Sequence, residues 1–93
     1  MSRLFSPGHI VATPGALDAL RSNGDTLALA RLLSRHLSGD WGTVDAHDWQ
    51  ANDAALRDGT RLLSAYRLDD GTKLWIITEA DRSSTCVLLP SEY

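Results

Sequence analysis

The last third of the chain limits its fold most. Residues 61–68, 73–79 and 85–89 are rich in Leu, Ile, Val, Trp and Tyr, residue types that suit a pleated, half-buried strand. Asp69-Asp70-Gly71-Thr72 separates the first two runs, with Gly71 placed for the positive φ of a tight hairpin. Asp81-Arg82-Ser83-Ser84 separates the second pair. Links this short join antiparallel neighbours, whereas a parallel pair needs a long crossover. A three-stranded antiparallel meander is therefore predicted at the C-terminal end.

The residues before it repeat with helical spacing. Thr13-Pro14-Gly15 opens a first helix, with the Thr13 hydroxyl as cap and Pro14 at a position whose missing N–H costs nothing. Asn23-Gly24 closes it. In the second helix, capped by Asp25 or Thr26, Leu27, Ala30, Leu33 and Leu37 share a stripe, flanked by Leu29, Leu32 and His36. A third helix runs from an Asp45 cap to about Asp58, with Gly59 beyond it and Trp49 and Leu56 as its main apolar anchors. Ile10-Val11-Ala12 is long enough for a brief edge strand. The fold class expected is α+β: two or three N-terminal helices packed on the meander, a single domain over residues 1–93.

Composition narrows the function. Nine Lys and Arg against twelve Asp and Glu leave a net charge of −3, a poor match to a protein that neutralises phosphates over a broad surface, so nucleic acid is not the expected partner. One cysteine, Cys86, excludes an internal disulfide and a thiolate-rich zinc site. No apolar run reaches the ~20 residues of a membrane span, and the N-terminus has no signal-peptide core. A cytoplasmic protein with no membrane association is expected.

Three groups of residues invite a chemical reading. Strand alternation places Leu62, Tyr66, Leu68, Leu74, Ile76, Cys86 and Leu88 on one sheet face, and Leu63, Ala65, Trp75, Ile77, Val87 and Leu89 on the other, edged by Arg61, Arg67, Lys73, Glu79 and Thr85. Either the helices divide between the faces and Trp75 is core, or they stack on one face and the other docks a partner through Trp75. The acidic and aromatic segment holding Asp40, Trp41, Asp45, His47, Asp48, Trp49, Asn52 and Asp53 is a second candidate contact surface. His36, Asp40 and His47 do not match a standard metal-ligand spacing, and Asp45 reads as a helix cap. Glu79, Asp81 and Arg82 sit at a strand exit, but no nucleophile stands beside a base, and Asp81–Arg82 reads as a turn. No phosphate loop, zinc motif or hydrolase elbow is present. The chain does not read as an enzyme, and no cofactor is expected.

The chain as a whole resembles a family of short bacterial "plasmid-related" proteins of plasmids and integrated mobile elements. The resemblance is carried by residues 10–17 (IVATPGAL), Gly39-Asp40-Trp41-Gly42, Asn52-Asp53, Leu63-Ser64-Ala65-Tyr66, residues 75–83 (WIITEADRS), Leu88-Leu89-Pro90 and Glu92-Tyr93. It implies mobile-element cargo, a setting in which inhibitors of host defence and toxin–antitoxin components are frequent. Residues 61–89 also look like the sheet of ribosome-dependent mRNA-cleaving toxins. In that likeness Arg61, Arg67, Arg82 and Tyr93 stand in for the family's basic and aromatic RNA-contacting residues, although those toxins are strongly basic and this chain is acidic.

The function expected is a non-catalytic protein-binding module that contacts an unidentified partner through Trp75, Ile77, Leu63, Val87, Trp41 and Trp49. The alternatives are an RNA-cleaving toxin, or a structural homodimer that self-associates through the same sheet face.

Overall fold

A computed structural model describes residues 3–93. In chain order it contains β1 (His9–Ala12), α1 (Pro14–Asn23), α2 (Ala28–Leu37), α3 (Ala46–Asp58), β2 (Leu62–Arg67), β3 (Lys73–Thr78), β4 (Ser84–Leu88) and a closing 3₁₀ turn, Pro90–Glu92. The α+β class holds. The sheet, however, is not a three-stranded meander. It has four strands in the order β1-β4-β3-β2, and β1 runs parallel to β4, with His9 opposite Ser84 and Ala12 opposite Val87. The parallel pairing follows from the topology: the chain leaves β1, traverses all three helices and two strands, and returns as β4.

The local signals act as their chemistry requires. Thr13 accepts from the Ala16 amide and Asp45 from the Asp48 amide, while Gly24 and Gly59 end α1 and α3 in the left-handed region. Gly71 has φ +90° in the β2–β3 hairpin, where the Leu68 amide donates to the Thr72 carbonyl.

Two details of the expected faces are corrected. β4 is out of phase with the alternation read from sequence: Val87 lies opposite Ile76, and Cys86 opposite Ile77. Val87 therefore belongs with Leu62, Ser64, Tyr66, Leu74, Ile76, Thr78 and Thr85, all buried, while Cys86 and Leu88 share a face with Ile77 and Trp75. Leu89 also packs on the Val87 side. On α2 the buried stripe is Ala28, Leu32 and His36; Leu27 precedes the helix and is exposed, as is Ala30. A Leu-Ala-Leu-Ala run supports two overlapping stripes, and the position of His36 selects between them.

His36 joins α2 to the sheet through polar atoms. Its Nδ1 lies 2.5 Å from Ser64 Oγ and its Nε2 2.9 Å from Thr78 Oγ1; Thr78 Oγ1 is 2.7 Å from Thr85 Oγ1, which donates to the Pro7 carbonyl at 2.8 Å. The end of this chain sets its direction. A carbonyl only accepts, so Thr85 donates to Pro7, Thr78 to Thr85, and His36 Nε2–H to Thr78. Ser64 then donates to the bare Nδ1. One imidazole tautomer satisfies all four buried side chains.

Phe5 and Trp41 wall the ring at centroid distances of 5.3 and 5.7 Å. Burial, seconded by the Arg82 charge, lowers the His36 pKa to about 4, so the ring is neutral.

Both helix-to-sheet clusters draw on one face only. Ala16 of α1 and Leu32 of α2 meet Tyr66, Leu74, Ile76 and Val87, while Ala55 of α3 meets Trp41 and Leu62. α3 also closes the outer edge of β2. Asn52 Nδ2 donates to the Leu63 carbonyl at 2.7 Å and its Oδ1 accepts the Leu63 amide at 3.2 Å. Two residues on, the Ala65 amide donates to the Trp41 carbonyl and its carbonyl accepts from the Thr43 amide. Gly42 must be glycine between them: φ is +77°, and a Cβ would stand 1.9 Å from the Ala65 oxygen.

Candidate functional site

The sheet face away from these clusters carries Leu63, Ala65 and Arg67 from β2, Lys73, Trp75 and Ile77 from β3, Cys86 and Leu88 from β4, and Val11 from β1. What lies over its centre is the 3₁₀ turn with Tyr93. The Glu92 carboxylate accepts from the Thr13 hydroxyl at 2.5 Å, the Leu89 amide at 2.8 Å and the Gly15 amide at 3.2 Å. These donors hold its pKa below the usual carboxylate range, Thr13 contributing most. The anion sits at the start of α1, where the helix dipole favours it. So anchored, the 3₁₀ turn delivers Tyr93 edge-on to Trp75, with ring centroids 5.5 Å apart. Arg61 lies over the Tyr93 ring at 5.4 Å and donates to its hydroxyl. Ile77 and Leu88 are buried on this face, whereas Trp75, Leu63, Ala65 and Cys86 are only half-buried.

Beside Trp75 a groove of about 320 Å³ runs along the edge of the sheet, lined by Thr43, Val44, Asp48, Leu63, Ala65, Arg67, Lys73 and Trp75. Arg67 and Lys73 are direct cross-strand partners, both exposed. Among the described residues neither forms an ion pair; the acids in ion pairs are Asp18, Asp25 and Asp40, with Arg21, Arg31 and Arg35. Like charges directly opposite one another across strands are destabilising. Asp48, on the facing wall, is the one acidic lining residue of this groove.

The residues read from sequence as a partner surface separate here. Trp75 and Leu63 reach the open face. Ile77 shares that face but is buried within it, and Val87 lies wholly buried on the helix side. Trp41 is wholly buried and donates through Nε1 to Asp53 Oδ1 at 2.9 Å. Trp49 packs half-buried against the Trp41 cluster. The acidic-aromatic segment is thus mainly core and cap, with Asp40 held by Arg35 at 2.7 Å and its pKa depressed by that contact.

The four residues of the toxin likeness do not converge. Arg61 and Tyr93 bind each other, and Arg67 lies at the opposite end of β2. Arg82 is committed internally: it donates to the carbonyls of Thr60 at 2.7 Å and Ala55 at 3.0 Å, beyond and within the last turn of α3, and covers the Phe5 ring. Its own backbone sits at φ +59°. The His36–Ser64 pair places a base against a hydroxyl, but both side chains are wholly buried, out of reach of a substrate. Burial raises the Cys86 pKa, which keeps it a thiol.

Sequence reasoning placed Asn52 in the acidic-aromatic segment and His36 on the flank of α2 but missed the contacts they make, as it missed those of Glu92. Each acts through a contact distant in sequence, and no spacing rule marks it.

No protein-family model matches the chain, and neither does any curated protein or solved structure.

Proposed function

We propose that this protein is a small non-catalytic binding module of a mobile genetic element, docking a host protein through the sheet face around Trp75. One observation carries the reading. The helices pack against a single face, so a half-buried tryptophan and its apolar neighbours stand on the other, beside two cations that form no ion pair among the described residues. An aromatic anchor with a charged rim is the usual composition of an interface centre. Arg67 and Lys73 call for an acidic segment on the partner, whose carboxylates would neutralise the pair. The mobile-element setting rests on the family resemblance, and host defence machinery is the class of target it suggests.

The test uses a tagged chain expressed near its natural level in a bacterial host, alongside a Lys73→Glu variant. The binding reading expects a stoichiometric protein with wild type, lost on charge reversal. A protein retained equally by both forms contradicts it. Growth arrest on induction, relieved by Arg82→Ala with Tyr93→Phe in a chain that still folds, would support the toxin reading instead.

A further inference from the structure

The two edges of the sheet are finished differently. The outer backbone groups of β2 are met at Leu63 by the Asn52 side chain and at Ala65 by the Trp41–Thr43 segment. Among the described residues β1 has no such cover. Its ladder to β4 uses His9, whose amide donates to the Ser83 carbonyl, and continues to Thr13, whose amide donates to the Val87 carbonyl. In a parallel ladder alternate residues face the same neighbour, so Ile10 and Ala12 turn their amides and carbonyls outward. Among the described residues those groups have no partner. Ile10 is 48% and Val11 50% exposed, on opposite faces of the strand. Proteins commonly protect such an edge with charge, proline or a bulge; β1 reads His-Ile-Val-Ala.

We propose that β1 pairs antiparallel with β1 of a second copy about a two-fold axis at Val11. This register is self-complementary, as an isologous interface requires. Ile10 and the partner copy's Ala12 exchange both of their outward hydrogen bonds, and symmetry repeats the exchange. The two Val11 side chains meet directly, and His9 falls opposite Thr13, so no like charges are apposed. The sheet becomes eight-stranded, with both open faces on the same side. The apolar edge Ile10-Val11-Ala12 favours its own copy over the acidic segment that Arg67 and Lys73 call for. The inference is independent of the binding face, since neither Trp75 nor Lys73 takes part.

The experiment is sedimentation equilibrium of the full chain with Val11→Lys, Val11→Glu and their equimolar mixture, checked by circular dichroism. Val11 is half exposed, so the fold tolerates these changes. Wild type is expected to dimerise, and each variant to associate at least about tenfold more weakly, because like charges then meet at the axis. Mixing the two variants restores the dimer, since Lys then faces Glu. Ile10→Pro removes an outward amide without touching the β4 ladder and also weakens the dimer. A wild-type chain that stays monomeric at about 1 mM overturns the proposal. So does a dimer that Val11→Lys leaves unchanged, or a mixture that fails to recover.

Discussion

Tyr93 stands edge-on to Trp75, ring centroids 5.5 Å apart, and Glu92 is the reason it can. The carboxylate that caps α1 pins the C-terminal turn, and the next residue then reaches the open face of the sheet. A contact at the start of the first helix thus shapes the surface proposed to meet a partner. Glu92→Gln should keep the fold while loosening Tyr93, raising the solvent exposure of Trp75; a red-shifted tryptophan emission and easier quenching would report it. Unchanged emission would mean that other contacts hold the turn.

Lys73 and Arg67 face each other across strands and form no ion pair among the described residues, so function and stability should oppose one another there. Lys73→Glu is expected to stabilise the fold by roughly 0.5 kcal/mol, because it turns a repulsive cross-strand pair into an attractive one. Urea denaturation measures this. A loss of stability would show that Lys73 already has a favourable partner.

His36 sets a pH dependence. In the unfolded chain the imidazole takes a proton near pH 6.5, in the fold only near 4, because burial penalises the charged ring. Between those values the unfolded state binds more protons, so the part of the stability owed to His36 falls as pH drops through the window and is fully lost below about 4. There the depressed carboxyls of Asp40 and Glu92 begin to add their own loss. The full His36 loss is on the order of 3 kcal/mol. Denaturation between pH 7.5 and 4.5 should show this slope, and His36→Leu should lack it while being less stable at neutral pH. Thr78→Val, which keeps the shape and breaks the hydroxyl chain in its middle, should cost about 1–3 kcal/mol.

Much of the architecture was legible because it rests on local chemistry. Thr13, Asp45, Gly24, Gly59 and Gly71 act within a few residues of themselves, and each performs its expected cap or turn. β1 was visible as a strand, but its parallel partner was not, since nothing in Ile10-Val11-Ala12 encodes where the chain will be more than seventy residues later. The phase of β4 failed for a related reason. Thr85 and Val87 face inward because Thr85 completes the chain from His36 to Pro7, a long-range polar contact that outweighs the apolar appearance of Cys86 and Leu88. Of the site, Trp75 and Leu63 were found by alternation. Alternation also puts Arg67 and Lys73 at the rim of that face, but that they stand directly opposite each other needed the β2–β3 register.

Asn52 spends both ends of its amide on one residue of an edge strand. Asn52→Ala should cost about 1–3 kcal/mol for the exposed Leu63 groups and should also raise aggregation, since a free edge invites pairing. Turbidity below the unfolding temperature separates the effects. A destabilised but clear solution would mean that the neighbouring Trp41–Thr43 segment protects the edge alone.

Arg82 combines a left-handed backbone with a guanidinium spent on the carbonyls of Ala55, in α3, and Thr60, just beyond it. Arg82→Gly should therefore be more stable than Arg82→Ala by about 1 kcal/mol, both falling below wild type. Equal stabilities would remove the backbone from the account.

The face around Trp75 is tested most directly by photocrosslinking in cells that naturally carry the protein. A photoreactive amino acid is placed at Thr43 or Lys73, which line the groove, and in control chains at Ala30 or Arg31, exposed on α2. The account predicts a discrete adduct of one host protein from the groove positions and none from the helix positions. Adducts from α2 with none from the groove would contradict it.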